Sequence, residues 1–215
     1  PKFLQAYQPL GDLWLDFPGH NRATAYRRSL DLDEAVTHVC YKLDGITFRR
    51  EAFVSAVDQV IVLRLTSDQP GCISLRANLS SPHRADLMAG EREASLILRG
   101  QWVGDGETCG LLGGMKGPGI RFEARLAAQA EGGTVAVDHS GMQVQDADAV
   151  TLLLVAATSY RNYQDIGGDP AVCGEQLTAA LDKPYEALRA AHVADHQRYF
   201  RRLALDLGHS EAEQL

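Results

Sequence analysis

The chain has 215 residues, 45% of them hydrophobic, and a formal net charge of −7 at pH 7. This length suits one domain with additional elements or two small domains, and the apolar content excludes a disordered chain. The acidic balance and the lack of any Lys/Arg run longer than two residues argue against nucleic-acid binding. No apolar run approaches the roughly 20 residues of a membrane-spanning helix.

The first three-quarters of the chain have the period-2 alternation of β-strands. Leu13, Leu15 and Phe17 form one such run. A second run has a predicted buried face that comprises Tyr26, Arg28, Leu30 and Leu32. Residues 35–42 predict a further strand, and Asp44-Gly45 then predicts a type I′ hairpin turn, because both residues tolerate a positive φ.

The middle of the chain continues this pattern with two interruptions. The continuous apolar run at residues 60–63 predicts a strand buried on both faces, and alternation resumes at Ile73. We expect loops at residues 80–90 and 104–119, because the first is polar and the second is rich in Gly and Pro. Strands are expected near residues 95–103, around 120–126, in a hairpin near Gly132-Gly133, and over the apolar residues 150–158.

The pattern becomes helical after Asp169-Pro170. An apolar stripe at helical spacing contains Leu177, Leu181, Leu188 and Phe200, and Pro184 suits the start of a second helix. Leu203, Leu205 and Leu207 then predict one last strand. The expected fold is mainly β, an antiparallel two-sheet β-(super)sandwich followed by a helical linker, α+β overall. The expected divisions are a sandwich at 1–169, a two-helix linker at 170–202, and a strand and tail at 203–215.

Few residues carry the spacing of a known catalytic or metal site. His192 and His196 lie four residues apart on the second helix, a spacing that allows two histidines to bind zinc. Because there is no evident third ligand, we favour the interpretation that they pack and cap the helix. The carboxylates are scattered, so glycoside hydrolysis, which needs two of them 5–10 Å apart, cannot be assigned to any pair. We read Asp16, Asp44, Glu51, Glu123 and Asp165 mostly as solvated strand faces or turn residues. No catalytic residue, metal ligand or cofactor site is therefore predicted.

The four cysteines, Cys40, Cys72, Cys109 and Cys173, form no C-x-x-C pair and no zinc spacing. We read them as small buried hydrophobes, with one disulfide as the alternative if the protein is exported.

Residues 158–163 (TSYRNY) place polar and aromatic groups at the end of a buried strand. Aromatic rings stack on the C–H faces of sugars and amides bond hydroxyl groups, so Tyr160 and Asn162 are candidate substrate-binding residues at the rim of a sugar pocket. The alternative reading, of equal weight, is a capped strand end with packing tyrosines.

Four segments in the same order resemble family-95 glycoside hydrolases. They are residues 7–13 (YQPLGDL), 44–51 (DGITFRRE), 157–163 (ATSYRNY) and 191–200 (AHVADHQRYF). The resemblance runs along nearly the whole chain and implies an N-terminal β-supersandwich and a helical linker. In that family an (α/α)6 barrel follows and carries the acid Glu and the water-activating Asn/Asp groups of an inverting α-L-fucosidase or α-L-galactosidase.

The resemblance further implies that this chain is the non-catalytic N-terminal part of such an enzyme, without its first strands and its barrel. The implied partners are the downstream barrel of the same polypeptide and a fucosylated oligosaccharide, without nucleic acid, membrane, metal or organic cofactor. A periplasmic or extracellular location is favoured. The alternative function is a free-standing carbohydrate-binding β-sandwich, which would present exposed aromatic residues such as Trp14 on a sheet face. A small enzyme with an unfamiliar site ranks third.

Overall fold

The computed structural model describes residues 8–90, 94–102, 119–206 and 208. Within them, twelve strands precede two helices, α1 (Cys173–Leu181) and α2 (Tyr185–Phe200). The strands are β1 (Asp12–Asp16), β2 (Thr24–Asp31), β3 (Val36–Leu43), β4 (Ile46–Ser55), β5 (Val60–Ser67), β6 (Ile73–Ser80), β7 (Arg84–Ala89), β8 (Ser95–Gln101), β9 (Arg121–Glu131), β10 (Thr134–Asp138), β11 (Gly141–Ala147) and β12 (Ala149–Thr158). No helix in these residues is long and apolar enough to cross a membrane.

The strands form two antiparallel sheets, as the sequence predicts. The small sheet has the order β1-β6-β11-β10, and the large sheet has the order β2-β3-β4-β5-β12-β9-β8-β7. The Asp44-Gly45 hairpin joins β3 to β4, and both turn residues have positive φ, 50° and 86°, as a type I′ turn requires. The predicted sandwich fold is confirmed.

The main core lies between the two sheets. One face of the large sheet, here called the inner face, contributes alternate residues such as Leu65, Leu126 and Leu152, and the small sheet contributes Leu75 and Met142. Strand β12 lies in the middle of the large sheet and is buried on both faces along most of its length. This explains why its sequence is continuously apolar.

The opposite, outer face of the large sheet is covered by the helices. A second core joins Phe53, Val62 and Leu153 of the sheet to Leu177 of α1 and Leu188 of α2. The order of layers is therefore helices, large sheet, small sheet. Asp169 starts the helical segment, because its carboxylate accepts a hydrogen bond from the Ala171 amide at 3.0 Å and Pro170 follows it.

Three strand expectations are wrong in part. Residues 84–89 form the edge strand β7 and not a loop; its polar residues face water while Ala85 and Leu87 pack on the core. In β5, Ile61 is exposed, so the run at residues 60–63 is not buried on both faces. Strand β2 has no buried face, and its Leu30 is 55% exposed, because no layer covers this end of the sheet.

The end of the chain also differs from its prediction. Leu203 and Leu205 are exposed and belong to no strand, because no sheet edge among the described residues pairs with them. Leu207 and most of the expected 104–119 loop lie outside the described residues. Cys40 and Cys72 are half-buried and Cys173 is fully buried; all three are free thiols, and Cys109 lies outside the described residues.

Candidate functional site

The loop that follows β12 is fixed to the sandwich at both ends through Ser159. The Ser159 amide donates to the Arg121 carbonyl at 2.8 Å, and the Arg121 amide donates to the Ser159 hydroxyl at 2.9 Å. At the far end of the loop, the Gly168 amide donates to the Ser159 carbonyl at 2.9 Å. A Cβ at Gly168 would lie 2.9 Å from that same oxygen, so only glycine allows this closure. The loop is thus a closed ring of residues on a buried anchor.

Hydrogen bonds inside the loop hold its shape. The Arg161 and Asn162 amides donate to the Asp165 carbonyl at 3.0 and 3.1 Å, and the Asp165 amide donates to the Asn162 carbonyl at 3.1 Å. The Asp165 carboxylate accepts from the Gly167 amide at 2.7 Å and from the Arg161 guanidinium at 3.2 Å, and these two donors lower the pKa of Asp165. The loop is therefore ordered before any ligand arrives.

The two predicted rim residues lie on this loop with their side chains toward solvent. Tyr160 is 53% exposed, and its neighbour Tyr163 is 85% exposed. The side-chain oxygen of Asn162 accepts from the Gln164 amide at 2.9 Å, so it serves the loop's own turn. A rigid loop with two exposed aromatic rings can stack on a sugar, and the amide nitrogen of Asn162 can donate to a hydroxyl.

The two helix histidines pack against the β2–β3 turn. His192 is buried, bonds the Ala35 carbonyl at 3.2 Å, and stacks on Phe53 with ring centroids 4.7 Å apart. His196 bonds the Leu32 carbonyl at 2.9 Å. Their interpretation as packing residues is confirmed. In the part of the chain that the structure describes, no three His, Cys, Asp or Glu side chains gather as a metal site would require.

Glu123 was expected to be solvated, and this expectation is wrong. The Glu123 carboxylate is buried on the outer face of β9, where Arg99 and Arg125 each donate to one of its oxygens at 2.5 Å. The Cys173 thiol at the start of α1 lies 3.8 Å from it, and burial together with this carboxylate raises the pKa of Cys173 to about 11. The two arginines balance the charge of the carboxylate, and its contacts join β8, β9 and α1. This arrangement is typical of a structural ion pair and not of a group that transfers protons.

The sequence alternation around Glu123 does not predict this buried cluster. Phe122 and Ala124 define the apolar face, and the pattern assigns Glu123 to the wet face. Helix α1 covers that face, and this helix belongs to the distant segment that follows Asp169. Of the other carboxylates, Asp16 and Asp44 are exposed as expected, and Glu51 is half-buried and accepts a hydrogen bond from the Tyr185 hydroxyl.

A hollow of about 490 Å³ lies where the small sheet ends and the large sheet continues. Its walls include Leu13 and Leu79 from the small sheet and Val54, Ile61 and Ala156 from the large sheet. These walls are apolar. Beyond the hollow the inner face of the large sheet is exposed at Leu30 and Val54, whereas Tyr41 and Phe48 on the same face are buried.

The chain is similar in sequence to one described family and to two named proteins. The family model described as "Glycosyl hydrolase family 65, N-terminal domain" matches residues 2–163. The chain is 27% identical to "Alpha-L-fucosidase 2" of Arabidopsis thaliana, over 97% of this chain and 27% of that protein. It is 29% identical to "Probable alpha-fucosidase A" of Aspergillus niger, over 94% of this chain and 26% of that protein. The chain thus spans about a quarter of the length of these relatives.

Among solved structures, the fold is similar to that of a "Putative kojibiose phosphorylase from human microbiome". The TM-score is 0.50 at 12% sequence identity, over 90% of this chain and 28% of that chain. At this identity the similarity concerns the fold alone.

Proposed function

Because this chain belongs to the family described as glycosyl hydrolase family 65, N-terminal domain, we propose that it is the non-catalytic N-terminal sandwich of an α-L-fucosidase. In this proposal it supports the catalytic (α/α)6 barrel of the same polypeptide, and the barrel carries out an inverting hydrolysis. The matching model is named after family 65, so membership of family 95 is part of the proposal and is supported by the four sequence segments quoted above.

One observation carries the proposal. The chain aligns over 97% and 94% of its length with two proteins named as α-fucosidases, yet it spans only 27% and 26% of them. Those proteins therefore contain this unit together with several hundred further residues. The proposed divisions are the sandwich at 1–169, the two-helix linker at 170–202 and the exit segment at 203–215.

Two open apolar surfaces support a partner within the same polypeptide. At the exit from α2, the side chains of Leu32, Phe200, Leu203 and Leu205 are exposed. On the inner face of the large sheet, Leu30, Val54 and Ile61 are also exposed. Soluble monomers rarely leave such apolar groups together in water, so we infer that the rest of the polypeptide covers them, with the exit surface against the barrel.

We further propose that Tyr160 and Asn162 form part of the rim of the sugar pocket and take no part in proton transfer. The support is the rigid loop closed on Ser159 and Gly168, which presents both side chains to solvent. The alternative function, a free-standing carbohydrate-binding sandwich, is favoured by one observation, the exposed Trp14 on the small sheet.

Activity assays test the main proposal. The full-length enzyme should hydrolyse an aryl α-L-fucoside or the α-L-galactoside, and the 215-residue chain alone should hydrolyse neither. Turnover by the chain alone, abolished by substitution of one of its carboxylates, would contradict the non-catalytic role. A full-length enzyme that ignores both glycosides and instead cleaves an α-glucosyl disaccharide with phosphate would replace the fucosidase with a phosphorylase.

The rim proposal is tested in the full-length enzyme with two variants of one residue. Asn162→Asp keeps the oxygen that accepts from Gln164 but removes the amide donor, so the loop should persist while a sugar contact is lost. We expect KM to rise by the equivalent of about 0.5–1.5 kcal/mol, with kcat less affected and Tm unchanged. Asn162→Ala should add a loss of Tm, and Gln164→Ala is the neutral control on the same loop. An unchanged KM in Asn162→Asp and Asn162→Ala would leave the loop with a bracing role only.

A further inference from the structure

The solvent face of the small sheet carries one large aromatic side chain. Trp14 on β1 is 62% exposed, although the side chains that alternate with it, Leu13 and Leu15, pack on the core. The Trp14 indole nitrogen donates to the Ser80 hydroxyl on β6 at 2.9 Å. An exposed indole held in one orientation is a preformed platform, because its ring need not be ordered when a ligand stacks on it.

The positions beside Trp14 on this face are hydrogen-bonding groups. Asn78 is the cross-strand partner of Trp14, and Arg76 is paired with Gln143 on the next strand. Asn78, Arg76, Gln143 and Gln145 are all exposed. Strands lie about 4.8 Å apart, and Gln143 is also offset from Trp14 by two residues along the strands, so the two positions are about 12 Å apart. This is the span of a short oligosaccharide and not of a single sugar ring.

A shallow groove of about 210 Å³ lies on the same face. Its lining includes Ser74, Arg76, Gln143, Gln145 and Pro18. It follows β6 and β11 from Arg76, which lies two residues along β6 from Asn78, the partner of Trp14; neither Trp14 nor Asn78 lines it. Amide, hydroxyl and guanidinium groups line it together with the Asp146 carboxylate. Such groups bond sugar hydroxyls, and the aromatic platform beside them binds the apolar face of a sugar ring.

The solvent face of the small sheet lies on the opposite side of the sandwich from the two linker helices. The helices cover the outer face of the large sheet, and the small sheet lies on the other side of that sheet. The charges on the face are Asp12, Asp16, Asp138 and the groove residue Asp146 against Arg76, and the whole chain carries −7. An anionic glycan would be repelled, whereas a neutral one would not.

We propose that the solvent face of the small sheet binds neutral glycan chains, with one sugar ring stacked on Trp14 and the next units bonded by Asn78, Arg76 and Gln143. The choice of a glycan as ligand rests on the proposed function, since the parent would act on glycans. The face itself would hold a glycan chain on the enzyme. Its geometry requires neither a fucosyl group nor hydrolysis.

Binding by the 215-residue chain tests this directly. Cellohexaose, xylohexaose and 2′-fucosyllactose serve as neutral probes, and hexagalacturonate as the anionic probe, in calorimetric titrations. At least one neutral probe should bind with a Kd below about 1 mM, and hexagalacturonate should bind more weakly than that probe. Trp14→Ala should weaken the binding about tenfold or more, as loss of a central aromatic contact does, while Trp14→Phe should retain most of it.

The matched control is Tyr26→Ala, which removes an aromatic side chain of similar exposure, 61%, from the edge of the large sheet. It should leave glycan binding unchanged, and circular dichroism should show Trp14→Ala folded. The proposal is overturned if no neutral probe binds, if Trp14→Ala binds as well as the wild type, or if ultracentrifugation shows that the face instead joins two copies of the chain.

Full-length Trp14→Ala should hydrolyse an aryl α-L-fucoside normally. If the wild-type enzyme binds a neutral glycan but lacks fucosidase activity, the proposed function is contradicted while the glycan-binding proposal stands.

Discussion

The two halves of the large sheet both contain strands with period-2 alternation, but their surroundings differ. In β5, β12, β9 and β8 the inner face packs against the small sheet, and Leu65, Leu126 and Leu152 are almost fully buried. In β2, β3 and β4 the same face is covered only in part. Tyr41 and Phe48 are buried against Phe17 and His20, whereas Leu30 and Val54 are 55% and 64% exposed. An eight-stranded sheet faced by a four-stranded one leaves this open half.

The difference shows what alternation measures. A period-2 pattern records that one side of a strand is adapted to an apolar layer, but it does not record where that layer comes from. For β9 the layer is the small sheet of the same unit. Leu30 of β2 and Val54 of β4 belong to the same kind of pattern but are exposed, and we attribute these apolar positions to contacts with residues elsewhere in the same polypeptide. The following experiments test this contrast between the covered and the open half.

The largest effect is expected for Leu152→Ala in the covered half. Leu152 is fully buried in the middle strand, between Leu63 and Ala128 on the neighbouring strands. Truncation of a buried Leu costs about 2–5 kcal/mol, because it removes apolar contacts and leaves a cavity. Urea unfolding of the 215-residue chain measures this. A loss below about 1 kcal/mol would mean that the core between the sheets is loosely packed.

The outer face gives a comparable test at the helices. Leu188 of α2 is fully buried in the second core, so Leu188→Ala should also lower the free energy of unfolding by about 2–5 kcal/mol. Glu186 on the same helix is exposed and is the appropriate control, whereas Arg189 is not, because it forms an ion pair with Glu34. Equal, small effects of Leu188→Ala and Glu186→Ala would show that the helix is not docked on the sheet.

Much of this architecture could be predicted from the sequence, because its signals are local. The Asp44-Gly45 turn, the continuous apolar β12 and the Asp169-Pro170 helix start each depend on a few adjacent residues. The exposure of β2 and the burial of Glu123 could not be predicted, since each depends on whether a distant segment covers one face. Tyr160 and Asn162 were placed on one loop by adjacency alone, whereas the closure of that loop on Ser159 and Gly168 is a tertiary feature.

A chemical probe of the covered outer face is the Cys173 thiol. Because its pKa is raised to about 11, its thiolate fraction at pH 8 is reduced about a hundredfold, and its burial further blocks a reagent. A chain with Cys173 as its sole cysteine should therefore react with a disulfide reagent at least about a hundredfold more slowly when folded than in urea. A chain with half-buried Cys72 as its sole cysteine should show a smaller ratio. Similar ratios for the two would contradict the coverage by α1.

The raised pKa of Cys173 also makes the free energy of unfolding depend on pH. In the unfolded chain the Cys173 thiol has an ordinary pKa near 9, and in the folded chain the pKa is about 11. The folded state therefore keeps a proton that the unfolded state loses, so the contribution of this group to stability is full below pH 9 and falls as the pH rises to about 11. Urea unfolding at pH 8 and pH 10.5, with Cys173→Ala as the reference, measures this loss.

The smallest effect in the isolated chain is expected for Val54→Asp in the open half. Val54 lies on β4 beside the apolar hollow and is 64% exposed, so the substitution buries no charge and should cost about 1 kcal/mol or less, mainly through lower strand propensity. Ala136→Asp, at an exposed position of β10 on the solvent face of the small sheet, is the matched control. If the rest of the polypeptide covers the open half, Val54→Asp must bury an unpaired carboxylate in the full-length enzyme and should lower its Tm far more than Ala136→Asp does. Equal effects of the two variants in both proteins would show that the open half of the sheet stays in water, and its apolar pattern would then need another explanation.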